Sequence, residues 1–270
     1  MDNSRFLRQS FLGPHSQRVI EESVIGVVGL GGGGSHIVQQ LAHIGFRNYV
    51  IYDKDIVEES NLNRLVGAKR LDVIKKTSKL KVATRVILGL HRHPKIFGHQ
   101  SNWQDAPEDL RQCDLVFGCV DGFAQRQDLE VCCRRYFIPY IDIGMDVHAA
   151  KHPGDPPYVA GQVIVSLPGE QCMQCLTFLT EEKLGREAAK YGSAGVNPQV
   201  VWPNGVLAST AVGFAVDILT GWSGKTPKVA WLSYRGNIAT LTPDERLPYA
   251  KPTCTHFPLT EAGAPVYKSL

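Results

Sequence analysis

Six residues, Gly29-Leu30-Gly31-Gly32-Gly33-Gly34, stand between a β-branched run and a segment with helical spacing. No other feature restricts the fold of this chain as much. Ser23-Val24-Ile25-Gly26-Val27-Val28-Gly29 is short, apolar and β-branched, which suits a strand buried on both faces of a parallel sheet. After the glycines, residues 35–46 carry Ile37, Leu41 and Ile44 at helical spacing, with Gly45 as a stop. Asn48–Asp53 reads as a second strand ending in an acid. Strand, glycine turn, helix and strand together make a βαβ unit of roughly 30 residues. The turn matches G-x-G-x-x-G, in which glycines let backbone amides approach a phosphate and the helix N-terminus supplies donors and a favourable dipole. Asp53, about 20 residues further on, would accept hydrogen bonds from ribose hydroxyls. The pattern points to nucleotide binding, although a tight turn in a non-binding α/β domain has the same glycines. It does not separate a dinucleotide from ATP.

The alternation continues down the chain. A helix is expected at Ser78–His91, a strand at Asp114–Val120, a helix at about 124–136 and a strand at Tyr140–Ile143. Strands alternating with helices predict an α/β fold with a Rossmann-like, mostly parallel sheet. After residue 150 the turn-rich KHPGDPP leads into Tyr158–Leu167, which alternates as an antiparallel strand does. Val229–Tyr234 and Asn237–Leu241 read as a closing hairpin over Arg235-Gly236, so antiparallel strands extend the sheet in the second half. Thr180–Pro203 is polar and weakly periodic and reads as a long crossover loop or lid, and Asn204–Trp222 reads as a buried helix. The expectation is one domain over 1–270, with a nucleotide-binding half at about 20–150 and a partner-binding half at about 151–258.

Composition excludes several classes. With 43% hydrophobic and 20% charged residues the chain is neither disordered nor fibrous. A net charge of +3, from 29 basic and 26 acidic side chains, does not make nucleic acid or an anionic membrane the default partner. The absence of a long apolar run or a signal-peptide pattern reads as a cytoplasmic protein. Seven cysteines form an odd set without framework spacing, which leaves core thiols, a metal site or a nucleophile. Cys172-Met173-Gln174-Cys175 is half of a tetrahedral zinc site, and Cys254 with His256 could complete Cys₃His; redox-active or buried thiols are the alternative. Cys132 and Cys133, in an apolar helix, read as core.

The row Asp53-Lys54-Asp55-Ile56-Val57-Glu58-Glu59-Ser60-Asn61-Leu62-Asn63-Arg64 places an acidic pair, an amide and an arginine just past the second strand. A ribose fingerprint does not require it. Here the chain resembles the ThiF/MoeB/HesA family, bacterial relatives of ubiquitin-activating enzymes, whose pattern is D-x-D-x-V followed by S-N-L-x-R. Arg8-Gln9 resembles the family's N-terminal R-Q, Cys119-Val120-Asp121-Gly122 its C-T-D-N, and Lys81 its lysine at the head of a helix closing near His93-Pro94, with Lys79 a rival two residues away. The glycine- and alanine-rich Asn204–Trp222 is also similar, and the resemblance covers about residues 5 to 256.

That resemblance implies an adenylyltransferase that uses ATP and Mg²⁺ to activate the C-terminal carboxylate of a small ubiquitin-like or sulfur-carrier protein ending in Gly-Gly, with release of pyrophosphate. In it Gly29, Gly31, Gly32 and Gly34 line the phosphates, Asp53 holds the ribose, Asp55 and Asn61 stand near the nucleotide, Arg64 and Lys81 face the phosphates, and Asp121 holds Mg²⁺. Arg8 reaches the site of a neighbouring subunit in a homodimer. Structural zinc would take Cys172, Cys175, Cys254 and His256, although relatives supply a second C-x-x-C where this chain keeps one cysteine. Ubiquitin-activating relatives carry a nucleophilic cysteine in the crossover loop, and none occurs here between 176 and 253. The reading is therefore an enzyme that stops at the acyl-adenylate and hands it to a sulfurtransferase or conjugating enzyme. A transfer-RNA base or a peptide C-terminus as acceptor, or a non-catalytic scaffold, are the other readings. Taken alone, the basic run from Lys75 to Arg85 also fits a solvated helix face, and Asp121 a helix N-cap.

Overall fold

Strands that alternate large apolar residues between two covered faces dictate the architecture. In the computed structural model, which describes residues 4–150, 152–189, 198–225 and 229–257, the chain runs through α1 (Ser16–Glu22), β1 (Val24–Val28), α2 (Gly32–Ile44), β2 (Asn48–Tyr52), α3 (Arg70–Ile74), α4 (Lys79–Leu90), β3 (Lys95–His99), β4 (Leu115–Gly118), α5 (Phe123–Arg135) and β5 (Tyr140–His148). It continues with β6 (Tyr158–Ser166), α6 (Glu181–Ala189), α7 (Val201–Thr220), β7 (Val229–Arg235) and β8 (Thr240–Pro243). All eight strands form one sheet in the order β3-β2-β1-β4-β5-β6-β7-β8. β1 to β5 are parallel, and β5 to β8 pair antiparallel. The expected α/β architecture, parallel at first and antiparallel in the second half, is what the chain adopts.

Period-two burial decides which face each strand residue serves. Ile25, Val27, Leu115, Phe117, Ile141, Ile143, Val163 and Val165 pack with α2, α4 and α7 on one face. Val116, Tyr140, Ile164 and Trp231 pack on the other with α5 and the segment around Met173 and Phe178. The N-terminal 3₁₀ turn, Ser4–Leu12, is tied down by Arg5, which donates to Leu90 O at 2.7 Å and Ala42 O at 2.9 Å, carbonyls that the ends of α4 and α2 leave unpaired. Among the described residues, no helix is long and apolar enough to cross a membrane.

Four expectations change. The loop expected over Thr180–Pro203 contains α6, whose start is marked by Thr180 Oγ1 accepting from Lys183 N at 3.3 Å; residues 190–197 lie outside the described residues. α7 begins at Val201 rather than Asn204, because Pro203 falls in the first helical turn, where its missing N–H costs nothing. The second hairpin strand starts at Thr240 rather than Asn237, since a 3₁₀ turn at Gly236–Ile238 makes the connection and Asn237 bonds Val159 N and Pro157 O instead. β5 continues to His148, where only Tyr140–Ile143 was expected.

Candidate active site

The strand order reverses between β2-β1 and β4-β5, so the loops after β1 and β4 diverge and leave a crevice at the carboxyl ends of the strands. A cavity of about 1180 Å³ opens there. Two glycines explain how the turn approaches so closely. Gly29 has φ +89°, and a Cβ on it would lie 2.5 Å from Cys119 O; a Cβ on Gly34 would lie 1.9 Å from Gly29 O. Gly31 is different, since nothing stands within 4 Å of where its Cβ would be. Gly29, Gly31, Gly32 and Gly33 line the cavity, and Gly34 does not. Gly34, expected at the phosphates, stands where α2 closes on the turn.

Asp53 is fixed by two backbone donors, Leu30 N at 2.6 Å and Asp55 N at 2.8 Å. Burial pushes its carboxyl above the usual range, and the Lys79 charge and these two donors work against that. It ties the glycine turn to the end of β2 and still lines the cavity. Asn61 is buried and accepts from Glu58 N at 3.1 Å, and Arg64 Nη1 donates to Ser60 O at 2.6 Å and Asn63 Oδ1 at 2.9 Å. Both face the cavity, as do Asp55 and the exposed Asp121, whose Oδ1 accepts from Gln199 Nε2 at 3.3 Å.

Of the lysines at the head of α4, Lys79 rather than Lys81 stands at the cavity. Lys79 lines the cavity with its ammonium 2.7 Å from Asp55 Oδ2, whereas Lys81 lines a separate groove on the far side of α4. Two residues along a helix are about 200° apart around its axis, so both cannot face one site. Arg8 is exposed and is not among the residues that line this chain's own cavity.

Several cavity residues lie outside the sequence reading. Arg126, on α5, is buried and lines the cavity; its Nη1 donates to Asp142 Oδ1, and to Ile143 O at 3.1 Å. Asp142 also accepts from Tyr140 Oη at 3.1 Å. Asp128 lines the cavity, and burial raises its carboxyl. Asn204 packs against Gly32 and donates to Val200 O at 2.9 Å. Arg126 and Asp142 stand 16 positions apart on different elements, so only spatial pairing reveals that contact. Cys119 lines the cavity too, and burial pushes its thiol well above the ordinary range.

A second cluster gathers Cys172, Cys175, Cys254 and His256, with all four ligand atoms within 4.8 Å of one another. The Cys172 and Cys175 sulfurs are 3.6 Å apart, and His256 Nδ1 lies 3.4, 3.4 and 3.9 Å from the sulfurs of Cys172, Cys175 and Cys254. Tetrahedral zinc with ordinary bond lengths requires edges of about 3.8 Å between sulfurs and about 3.5 Å from sulfur to nitrogen. The donor set and its spacing fit that metal. Behind it, Glu130 accepts from Met173 N at 2.8 Å, and Arg134 donates to Glu170 O and Gln171 O at 2.7 Å each, which pins the backbone before and within the Cys-x-x-Cys turn to α5.

The description "ThiF family" matches residues 4–255. Ubiquitin-like modifier-activating enzyme 5 of Drosophila willistoni is 26% identical over 171 residues, 58% of this chain and 39% of that protein. The SAMP-activating enzyme E1 of Haloferax volcanii is 30% identical over 175 residues, 64% of this chain and 60% of that protein. The chain thus spans well under two thirds of these two relatives. The molybdopterin-synthase adenylyltransferase of Escherichia coli K12 is 28% identical over 210 residues, 76% of each. Among solved structures, E. coli MccB with ATP superposes at a TM-score of 0.70 with 19% identity, over 90% of this chain and 71% of that one, and so shares the fold. Matched over residues 4–255, nearly the whole chain, the chain belongs to the ThiF family.

Proposed function

We propose that this protein is an ATP-dependent adenylyltransferase acting on the C-terminal carboxylate of a small ubiquitin-like or sulfur-carrier protein with a Gly-Gly end. The observation that carries the reading is the convergence on one cavity of the glycine turn, Asp53, Asn61, Arg64, Lys79 and Asp121. Attack by a carboxylate oxygen on the α-phosphorus needs no general base. It needs charge neutralised on the triphosphate and the reacting atoms held in line. Arg64 and Lys79 supply that charge, and the guanidinium suits paired phosphate oxygens. Asp53 binds ribose with the lone pairs its two backbone donors leave free. Asp121 offers an exposed carboxylate with which Mg²⁺ would be held alongside phosphate oxygens, and the ion would add charge neutralisation there. Zinc, held by Cys172, Cys175, Cys254 and His256, would be structural. Named relatives that activate ubiquitin-like modifiers, or adenylate molybdopterin synthase, support the acceptor class.

With no cysteine between 176 and 253, the acyl group passes from the adenylate to a separate sulfurtransferase or conjugating enzyme. A homodimer in which Arg8 serves the neighbouring cavity is part of this reading. Its supports are the exposure of Arg8, Leu7 and Phe11 and the exposed, uncharged stripe Trp202, Val206, Ser209 and Gly213 on α7. The test is exchange of labelled pyrophosphate into ATP in the presence of a Gly-Gly-terminated carrier. Arg64→Ala and Lys79→Ala should each lower the exchange rate at least about 100-fold, the scale of losing one charge aimed at the transition state. Exchange that responds only to a free peptide would move the acceptor to a peptide C-terminus, and no exchange with any carrier or peptide would overturn the reading.

A further inference from the structure

One strongly charged surface takes no part in the cavity. Between Lys69 and Lys95 the chain carries nine basic side chains and one acidic one, Asp72. Because the whole chain carries only +3, the remainder is net acidic, and the small total conceals a segregated charge. Lys79 is engaged with Asp55 and Arg85 with Asp72. Arg70, Lys75, Lys76, Lys81, Arg92 and Lys95 are exposed, and no ion pair holds them among the described residues.

The surface contains a groove of about 450 Å³ between α4 and β3. Leu80, Leu88 and Ile96 give it an apolar floor, and Lys81 and Arg85 stand on its wall. It shares no lining residue with the nucleotide cavity. β3 is the outermost strand, paired with β2 on one side and with no strand on the other among the described residues. An edge strand kept from unwanted pairing needs only to be short and to carry a charge, and Lys95 would serve. That device does not call for Leu88 at 53% exposure. Exposed apolar residues are ordinary when scattered singly, but Leu88 lies with Leu80 and Ile96 along one groove that Lys81 and Arg85 also line.

We propose that this groove docks an acidic segment of a partner protein, laid along the open edge of β3 with aliphatic side chains on Leu80, Leu88 and Ile96 and carboxylates on Lys81 and its exposed basic neighbours. Protein is favoured over nucleic acid by the floor. Strand alternation places Ile96 and Gly98 in the groove and turns Phe97 to the other face, so there is no aromatic platform for a base. Strand addition would supply the backbone hydrogen bonds, and the pockets and charges the selectivity. The proposal stands apart from the adenylation reading.

The test uses the full chain and a fluorescein-labelled decapeptide alternating glutamate and leucine, followed by anisotropy at low and physiological salt. Saturable binding on the order of 10–100 µM is expected, weaker as salt rises. Lys81→Glu and Leu88→Asp, both exposed positions, should each weaken it at least tenfold while leaving ATP affinity unchanged. Absence of saturable binding, equal binding of a lysine–leucine counterpart, or indifference to both substitutions would overturn the proposal. Tighter binding of oligouridylate, sensitive to the same substitutions, would overturn it in favour of a nucleic-acid surface.

Discussion

Gly31 and Gly34 sit three residues apart and do different work. At Gly34 a methyl group would fall 1.9 Å from Gly29 O, so Gly34→Ala must shift the turn or α2, at a cost of about 1–3 kcal/mol on the scale of overpacking. At Gly31 a methyl group meets no protein atom within 4 Å, and the proposed function puts a phosphate in the cavity that this glycine lines. Thermal melts with and without ATP should therefore separate the two. Gly31→Ala should melt close to the parent and lose stabilisation by ATP, and Gly34→Ala should melt lower in both conditions. Asp72 gives a second residue-scale prediction. The Arg85 guanidinium beside it holds its carboxyl down at about 2, whereas an unfolded aspartate titrates near about 4. A depressed carboxyl stabilises the fold fully above the unfolded value, and that contribution is lost as pH falls from about 4 toward about 2. Urea midpoints across pH 2–6 should fall less steeply for Asp72→Asn than for the parent.

At the scale of elements, the Cys-x-x-Cys turn depends on α5 as much as on its ligands. Arg126, Glu130 and Arg134 recur every four residues along that helix and are all buried, the first at the candidate active-site cavity and the other two behind the Cys₃His cluster. Cys254→Ser should abolish stoichiometric zinc by elemental analysis and lower the melting temperature by at least about 4 °C, which for a chain of this size is about 1–2 kcal/mol. An unchanged melt with zinc retained would contradict a structural Cys₃His site. Elements also mark what the sequence discloses. β1, α2, β2 and β4 were legible because each is apolar, periodic or bounded by glycine. β3 was not, since Lys95-Ile-Phe-Gly-His99 is a half-exposed edge with neither an apolar run nor strict alternation. α6 was hidden by its polar composition, although Thr180 at its cap was a signal. The glycine fingerprint and the family resemblance set apart Gly29, Gly31, Asp53, Asn61, Arg64 and Asp121, and these residues do line one cavity. The choice between Lys79 and Lys81 was not, because it depends on how α4 is rotated against the sheet. The Arg126–Asp142 pair depends on two elements meeting in space.

For the whole molecule, one eight-stranded sheet carries both the candidate nucleotide crevice of its parallel half and the Cys₃His cluster beside its antiparallel half. No wall separates the halves, and the core on each face runs through strands of both. If two such molecules share their sites through Arg8, then Arg8→Ala protein mixed with Arg64→Ala protein should regain exchange activity that neither has alone, up to about a quarter of the parent rate when subunits mix at random in a symmetric dimer. No gain on mixing would mean that each cavity works with its own residues. The central claim concerns which phosphorus the acceptor attacks, and position-labelled ATP reads that directly. With a Gly-Gly carrier and ATP labelled at the α-phosphorus, label should become attached to the carrier, depend on Asp121, and be lost with mild base. With ATP labelled at the γ-phosphorus, label should appear only in pyrophosphate. Transfer of γ-label to the carrier, or formation of ADP in place of pyrophosphate, would contradict the account.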